Sequence, residues 1–226
     1  MSALIVINPN SSQVVTDGID TAVDPLRSFG MPIRCLTLAE GPPGIETQRQ
    51  ADLTIAPMLA LAAAQTDAAG YVIACFGDPG LHALRDQTTR PVVGIQEASV
   101  MTALTLGHRF GVIAILPASI PRHLRAFGAM GVLDRLAGDR ALGLGVADLA
   151  DDRKSLDAMI ATGRRLRDED GANVLIMGCA GMARYREPLQ EATGLPVVEP
   201  TQAAVSMALG QIRLTLSHKI QRADHA

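Results

Sequence analysis

The strongest constraint on this chain is that one phrase occurs in it twice. Tyr71-Val72-Ile73-Ala74-Cys75 is followed by Phe76-Gly77-Asp78-Pro79-Gly80, a short helical segment and Pro91-Val92-Val93. Asn173-Val174-Leu175-Ile176-Met177-Gly178-Cys179 is followed by Ala180-Gly181-Met182, another short helical segment and Pro196-Val197-Val198. Cysteine and proline are 16 residues apart in the first copy and 17 in the second. Upstream, Pro9 lies 66 residues before Cys75 and Pro117 lies 62 before Cys179, each closing an apolar run. A repeat of this length predicts two pseudo-symmetric α/β lobes, each on a parallel four-stranded sheet of βαβ units, with a cleft between them. The lobes are expected at residues 1–95 and 96–200, with a terminal helix over 201–218 packing back on the first.

Seven strands are placed by β-branched runs: Leu4–Ile7, Ile33–Leu38, Tyr71–Ala74, Val92–Ile95, Gly111–Leu116, Val174–Met177 and Val197–Val198. Between them, Ser11 or Ser12 caps a helix to about Arg27, Glu46 begins one toward Gln65, and Ser155 sits early in one toward Arg167. Composition fits this reading: 48% of the 226 residues are apolar but only 3% aromatic. Cores must then be built from Ala, Val, Ile and Leu, which suits buried parallel strands under Ala-rich helices. Scarce aromatics and a net charge of −3 argue against a stacking platform for nucleic acid and against a basic surface for DNA or anionic membranes. The expected partner is a small molecule, with no nucleic acid and no membrane.

Three widely spaced cysteines, Cys35, Cys75 and Cys179, without CxxC or neighbouring histidines, indicate neither a disulfide framework nor a metal site. The amino-terminal run has no basic segment and is too short for a signal peptide. The weakly polar stretch Ile55–Ala64 falls below the ~18 residues that span a bilayer. A soluble cytoplasmic protein with reduced thiols is expected.

The duplication puts two of the thiols at strand ends, each on a glycine-containing turn into a helix, where open parallel sheets bind ligands. Gly77, Gly80, Gly178 and Gly181 let backbone approach a ligand, and helix-start amides favour negative charge and lower a thiol pKa from its usual ~8.5. Two weak acids facing each other across a small planar species can invert a carbon. One thiolate removes a proton from one face, the charge moves into an adjacent carbonyl, and the opposing thiol returns a proton to the other face. Turn amides then stabilise the enolate, and no cofactor or metal is required.

In Asn8-Pro9-Asn10-Ser11-Ser12, Ala74-Cys75-Phe76-Gly77-Asp78-Pro79-Gly80-Leu81, Gly94-Ile95-Gln96-Glu97-Ala98 and Gly178-Cys179-Ala180-Gly181-Met182-Ala183, the chain resembles the Asp/Glu/hydantoin racemase superfamily. Within it, the resemblance is to the hydantoin racemase branch, which includes allantoin racemases. It implies that Cys75 and Cys179 are the catalytic acid/base pair. It also implies two flavodoxin-like lobes with the active site between them, no cofactor and a homo-oligomer. The superfamily's free-amino-acid racemases typically follow the first cysteine with Asn-Thr and the second with Thr-His. Here Phe76-Gly77 and Ala180-Gly181 stand instead, giving a more apolar pocket with backbone donors, better matched to a neutral cyclic ureide. Two cysteines disfavour the single-cysteine decarboxylases of malonates.

The chain is thus expected to racemise 5-substituted hydantoins or allantoin at C5. An Asp/Glu racemase-like enzyme acting on an acyclic carboxylate is the alternative, and an intracellular two-lobed binding protein is an alternative of another class. Phe76, Gly77, Ala180 and Gly181 are expected at the substrate as neighbours of the thiols. Asn8 joins them because its amide can both donate to and accept from a ureide, and Ser119 is its counterpart in the second lobe, unless it merely caps a helix. Asp78, ahead of Pro79, either caps its own helix or acts on the Cys75 proton. Glu97 and Glu199 either orient a cleft group or accept from helix-start amides. Cys35 reads as a small core residue, and no histidine is nominated.

Overall fold

A computed structural model describes residues 2–146, 148 and 152–218. Among them eight strands form: β1 (Ala3–Asn8), β2 (Ile33–Thr37), β3 (Ala68–Ile73), β4 (Val92–Gly94), β5 (Phe110–Ala114), β6 (Leu136–Ala141), β7 (Val174–Met177) and β8 (Val197–Val198). They make two four-stranded, all-parallel sheets ordered β2-β1-β3-β4 and β6-β5-β7-β8. The two orders are the same permutation, so the duplicated phrase marks a duplicated fold.

Strand alternation sorts side chains between three cores. Leu4 and Val6 of β1, Val72 of β3, Phe110 and Val112 of β5, and Val174 and Ile176 of β7 all enter one shared interior between the lobes. Their neighbours Ile5, Ile7, Tyr71 and Ile73 pack on the outer face of the first sheet. Ile113, Leu175 and Met177 do the same on the second. These strands carry apolar residues on both faces, as a parallel sheet covered on both sides requires. Each fully buried Ile or Leu contributes roughly 1.5–3 kcal/mol of burial.

Among the described residues, nine helices connect the strands: α1 (Gln13–Ala22), α2 (Gln48–Leu53), α3 (Ile55–Ala63), α4 (Leu81–Gln87), α5 (Ile95–Leu106), α6 (Ile120–Ala129), α7 (Asp152–Asp168), α8 (Arg186–Thr193) and α9 (Pro200–Arg213). Ser12 caps α1, its Oγ accepting from Val15 N at 3.4 Å. The α1 helix ends well before Arg27, because Pro25 redirects the chain into a 3-10 turn over Asp24–Phe29. The helix expected from Glu46 starts instead after Thr47, which forms a reciprocal capping box with Gln50, and it divides at Thr54.

Two helices exchange lobes. The α5 helix leaves the first sheet and packs on β5, β7 and β8, whereas α9 leaves the second sheet and packs on β1, β3 and β4. Gly70 of β3 marks the second contact, since a Cβ there would lie 3.0 Å from Ile212 Cδ1 of α9. The exchanged helices also pack on each other. They hold the carboxyl ends of the two sheets facing one another. None of the described helices is long and apolar enough to cross a membrane.

Candidate active site

In each sheet the strand order reverses beside the first strand of the lobe, between β1 and β3 and between β5 and β7, which opens a crevice at the carboxyl ends. The loops leaving those four strands meet in one cleft. Cys75 and Phe76 follow β3, Cys179, Ala180 and Gly181 follow β7, Asn10 follows β1, and Ser119 follows β5. The cleft is narrow, about 30 Å³, and Val15, Ile45, Ile115, Arg122 and Val146 complete much of its wall. Gly178 is required by the fold: a Cβ would stand 2.6 Å from the Ile113 carbonyl of β5, so the turn carrying Cys179 can be drawn against that strand only without a side chain.

Both thiols are partly exposed to this cleft. The lowering expected from turn amides is outweighed at Cys179, and none acts on Cys75. Loss of water around the sulfurs is the largest influence on each, raising Cys179 to about 11 and Cys75 above the ordinary thiol range as well. The Gly181 N–H pulls Cys179 down but does not compensate for burial. Charge on Cys179 further opposes ionisation of Cys75, and the Arg122 guanidinium favours it. The pair therefore resists becoming two thiolates, and near neutral pH both sulfurs keep their protons.

Asp78 does not cap its own helix. It reaches the first turn of α5, where Oδ1 accepts from Gln96 N and Oδ2 from Glu97 N, both at 2.9 Å. The residue adopts a positive φ of 46° to do so, and Gly94 leaves it room, because a Cβ there would collide with its carboxylate. Glu199 does the equivalent for α9, accepting from Thr201 N at 3.1 Å and Gln202 N at 2.6 Å. Burial pushes both carboxyls up to about 7, with the amides pulling the other way. The charge of Asp78 raises Cys75 and that of Glu199 raises Cys179, so each thiol stands within the field of one helix-capping carboxylate. Glu97 pairs with Arg85 and accepts weakly from Gly94 N.

Asn8 lies behind the cleft wall. Its Nδ2 donates to Asn10 Oδ1 and Thr16 Oγ1, each at 3.0 Å, and its Oδ1 accepts from Asn10 N, so its amide holds the β1 loop and Asn10 faces the cleft. Ser119 is buried at the cleft wall, where its Oγ accepts from Arg122 Nη2 at 3.4 Å, and it makes no side-chain cap. Gly77, with φ of 134°, and Asp78 border an adjoining cavity. Cys35 packs against the shared core, its thiol raised to about 12 by burial and by the Asp20 carboxylate.

Sequence reasoning missed His123. This α6 side chain is 1% exposed, and its Nδ1 lies 2.8 Å from Asp139 Oδ2 of β6, itself buried. Its ring meets Phe76 edge-on at 4.9 Å, so a buried His–Asp pair of the second lobe backs the residue beside Cys75 in the first. Nothing in a lone histidine at that position signals this, because its partners are 16 and 47 residues away in sequence. Among the described residues, no group of three or more His, Cys, Asp or Glu side chains could hold a metal ion.

The family model for Asp/Glu/hydantoin racemase matches residues 4–208. A hydantoin racemase of Paenarthrobacter aurescens is 33% identical over 93% of this chain and 91% of its own length. Among solved structures, allantoin racemase from Pseudomonas fluorescens superposes with a TM-score of 0.90 at 29% identity, covering 97% of this chain and 94% of that one. Allantoin racemase from Klebsiella pneumoniae gives 0.87 at 30% identity, covering 98% and 92%. With two equivalent lobes and a cleft lined by both repeated cysteines, the chain is an enzyme of the Asp/Glu/hydantoin racemase family, in its hydantoin and allantoin racemase branch.

Proposed function

We propose that the protein racemises 5-substituted hydantoins or allantoin at C5 by a two-base mechanism in which Cys75 and Cys179 exchange the roles of base and acid. The observation that carries this reading is that two sulfurs from equivalent strand ends border one cleft between the lobes. A thiolate takes the C5 proton, the C–H electron pair passes into the C4 carbonyl, and the opposing thiol protonates C5 on its other face. The balance is complete without oxidant, reductant or cofactor. In this reading, backbone N–H groups of the Cys75 and Cys179 turns are the donors to the developing enolate oxygen. High thiol pKa values suit this proton transfer. A thiolate formed from so weak an acid is a strong base, and its partner stays protonated because the two charges repel.

The cleft wall is largely apolar, with the Arg122 guanidinium held by the Glu46 carbonyl and Ser119 Oγ. Phe76, Ile45, Ile115, Val15, Val146 and Ala180 supply apolar contact, while Asn10 and Ser119 are polar. The small-molecule substrate, a cytoplasmic location and self-association of the chain go together in this reading, and sedimentation velocity measures the last. The test of function is a substrate panel. Either enantiomer of allantoin, 5-benzylhydantoin or 5-isobutylhydantoin should racemise, and aspartate, glutamate and maleate should not. Turnover of the acyclic acids alone would replace this reading with the acyclic racemase or isomerase. Binding of a ureide without turnover would replace it with the binding protein.

A further inference from the structure

Each cysteine turn is faced by a helix of the opposite lobe, and the two helices present different chemistry. The α1 helix, which follows β1, packs on the 3-10 turn over Ala180–Tyr185 after Cys179 and offers the cleft Val15. The α6 helix, which follows β5 as α1 follows β1, stands against the turn after Cys75 and offers the cleft Arg122. The next residue of α6 fixes that placement. His123 meets Phe76 edge-on at 4.9 Å, and its Nδ1 is held 2.8 Å from Asp139 Oδ2 with both side chains buried. Consecutive residues of α6 thus stand beside Cys75 and Phe76, and the cleft has a cation on the Cys75 side where the Cys179 side has a valine.

Arg122 is partly buried and has no carboxylate partner. Its Nη1 donates to the Glu46 carbonyl at 2.7 Å and its Nη2 to Ser119 Oγ at 3.4 Å, and among the described residues it forms no ion pair. Both acceptors are neutral, so they orient the guanidinium and leave its charge uncompensated. A cation withdrawn from water in this way is stabilised by an anion placed beside it. Loss of water and the neighbouring Arg125 both disfavour its charge, and a negative Cys75 favours it. In return, Arg122 favours ionisation of Cys75, which Cys179 and Asp78 oppose. Cys179 has the Gly181 N–H in its favour instead, against Glu199 and Glu46. The two copies of the repeat are therefore unequal in the charge that faces their sulfurs.

We propose that Arg122 is the counter-charge of the Cys75 thiolate, a positioning residue that the second lobe supplies to the first lobe's base. Its part in catalysis rests on the racemase reading above, whereas the charge pair itself does not. The test compares the wild-type chain with Arg122→Gln, which keeps N–H donors for the Glu46 carbonyl but removes the charge, and with Arg122→Lys, which keeps the charge. Iodoacetamide alkylation of each thiol at about pH 9, followed by peptide mapping, needs no substrate. Cys75 should react about tenfold more slowly in Arg122→Gln and within about threefold of wild type in Arg122→Lys, with Cys179 unchanged in both. Hydantoin kcat/KM should fall about tenfold in Arg122→Gln, mainly through kcat, and recover in Arg122→Lys. The fall must be equal from either enantiomer, because the two are equally stable. An unmoved Cys75, a change shared by both thiols, or no recovery with lysine would overturn the charge pair. Selective slowing of Cys75 with kcat/KM unmoved would overturn its part in catalysis. Absence of exchange with every hydantoin in the wild type would overturn the racemase reading, and selective slowing of Cys75 would still establish the pair.

Discussion

At the scale of single residues, the proposed chemistry turns on two thiols that burial makes hard to ionise. In the ligand-free protein the thiolate fraction of Cys179 should rise about tenfold per pH unit below its pKa of about 11. Iodoacetamide alkylation of Cys179, followed by peptide mapping, should therefore accelerate steadily from pH 7 to 10. A plateau near pH 7 would show a thiol activated in the resting enzyme. Cys75 and Cys179 were legible in the sequence as cleft residues because duplication sets them apart, and Cys35, which has no counterpart, packs as a core residue does. Asn10, Arg122 and His123 were not legible. Their contribution comes from which loop or helix face meets the cleft, a matter of lobe packing that no local pattern records. His123→Phe would keep a ring against Phe76 but leave the Asp139 carboxyl buried without its hydrogen-bond partner, at a cost of about 1–3 kcal/mol. Thermal unfolding checks this, with the double variant Asp139→Leu expected to recover much of the loss.

At the scale of elements, the sequence shows where apolar strands lie and misses one whose polar residues are buried by pairing. In Leu136–Ala141, Asp139 meets His123 and Arg140 Nε lies 2.6 Å from Asp170 Oδ2, so β6 has no apolar alternation to read. Capping likewise depends on tertiary structure: Asp78 has the local signature of a cap for α4 but serves α5, at 18 and 19 residues' remove. Asp78→Ala should cost roughly 0.5–2 kcal/mol, as losing a cap does. Gly94→Ala should destabilise for the same reason, because its Cβ occupies the carboxylate's place. Glu199 makes a pH prediction. A carboxyl held at about 7 in the folded chain, above its unfolded value, favours the fold fully below about pH 4 and loses that advantage as pH rises through 7. Glu199→Gln should remove a decline on the order of 3 kcal/mol across this window. Denaturant titrations of both proteins at several pH values measure the difference, and parallel profiles would contradict it.

Across the molecule, two lobes legible as a repeat are joined by α5 and α9, which pack on each other. Exchange of α5 and α9 places each lobe's sheet under the other lobe's helix, and β1, β3, β5 and β7 share one interior. The lobes should consequently open together: slowest-exchanging amides of β1 and β5 should report the same opening free energy, whereas independent domains would differ. The arrangement also brings the two cysteine turns to one cleft, on which the proposed chemistry depends. The most direct test follows either enantiomer of the hydantoin substrate in D₂O at early conversion, reading deuterium at C5 separately in product and recovered substrate. Two thiols on opposite faces predict deuterium in the product and protium in the recovered substrate, from both directions, with turnover collapsing in Cys75→Ser and in Cys179→Ser. Deuterium entering recovered substrate as fast as product forms, or full racemisation by either serine variant, would contradict the mechanism.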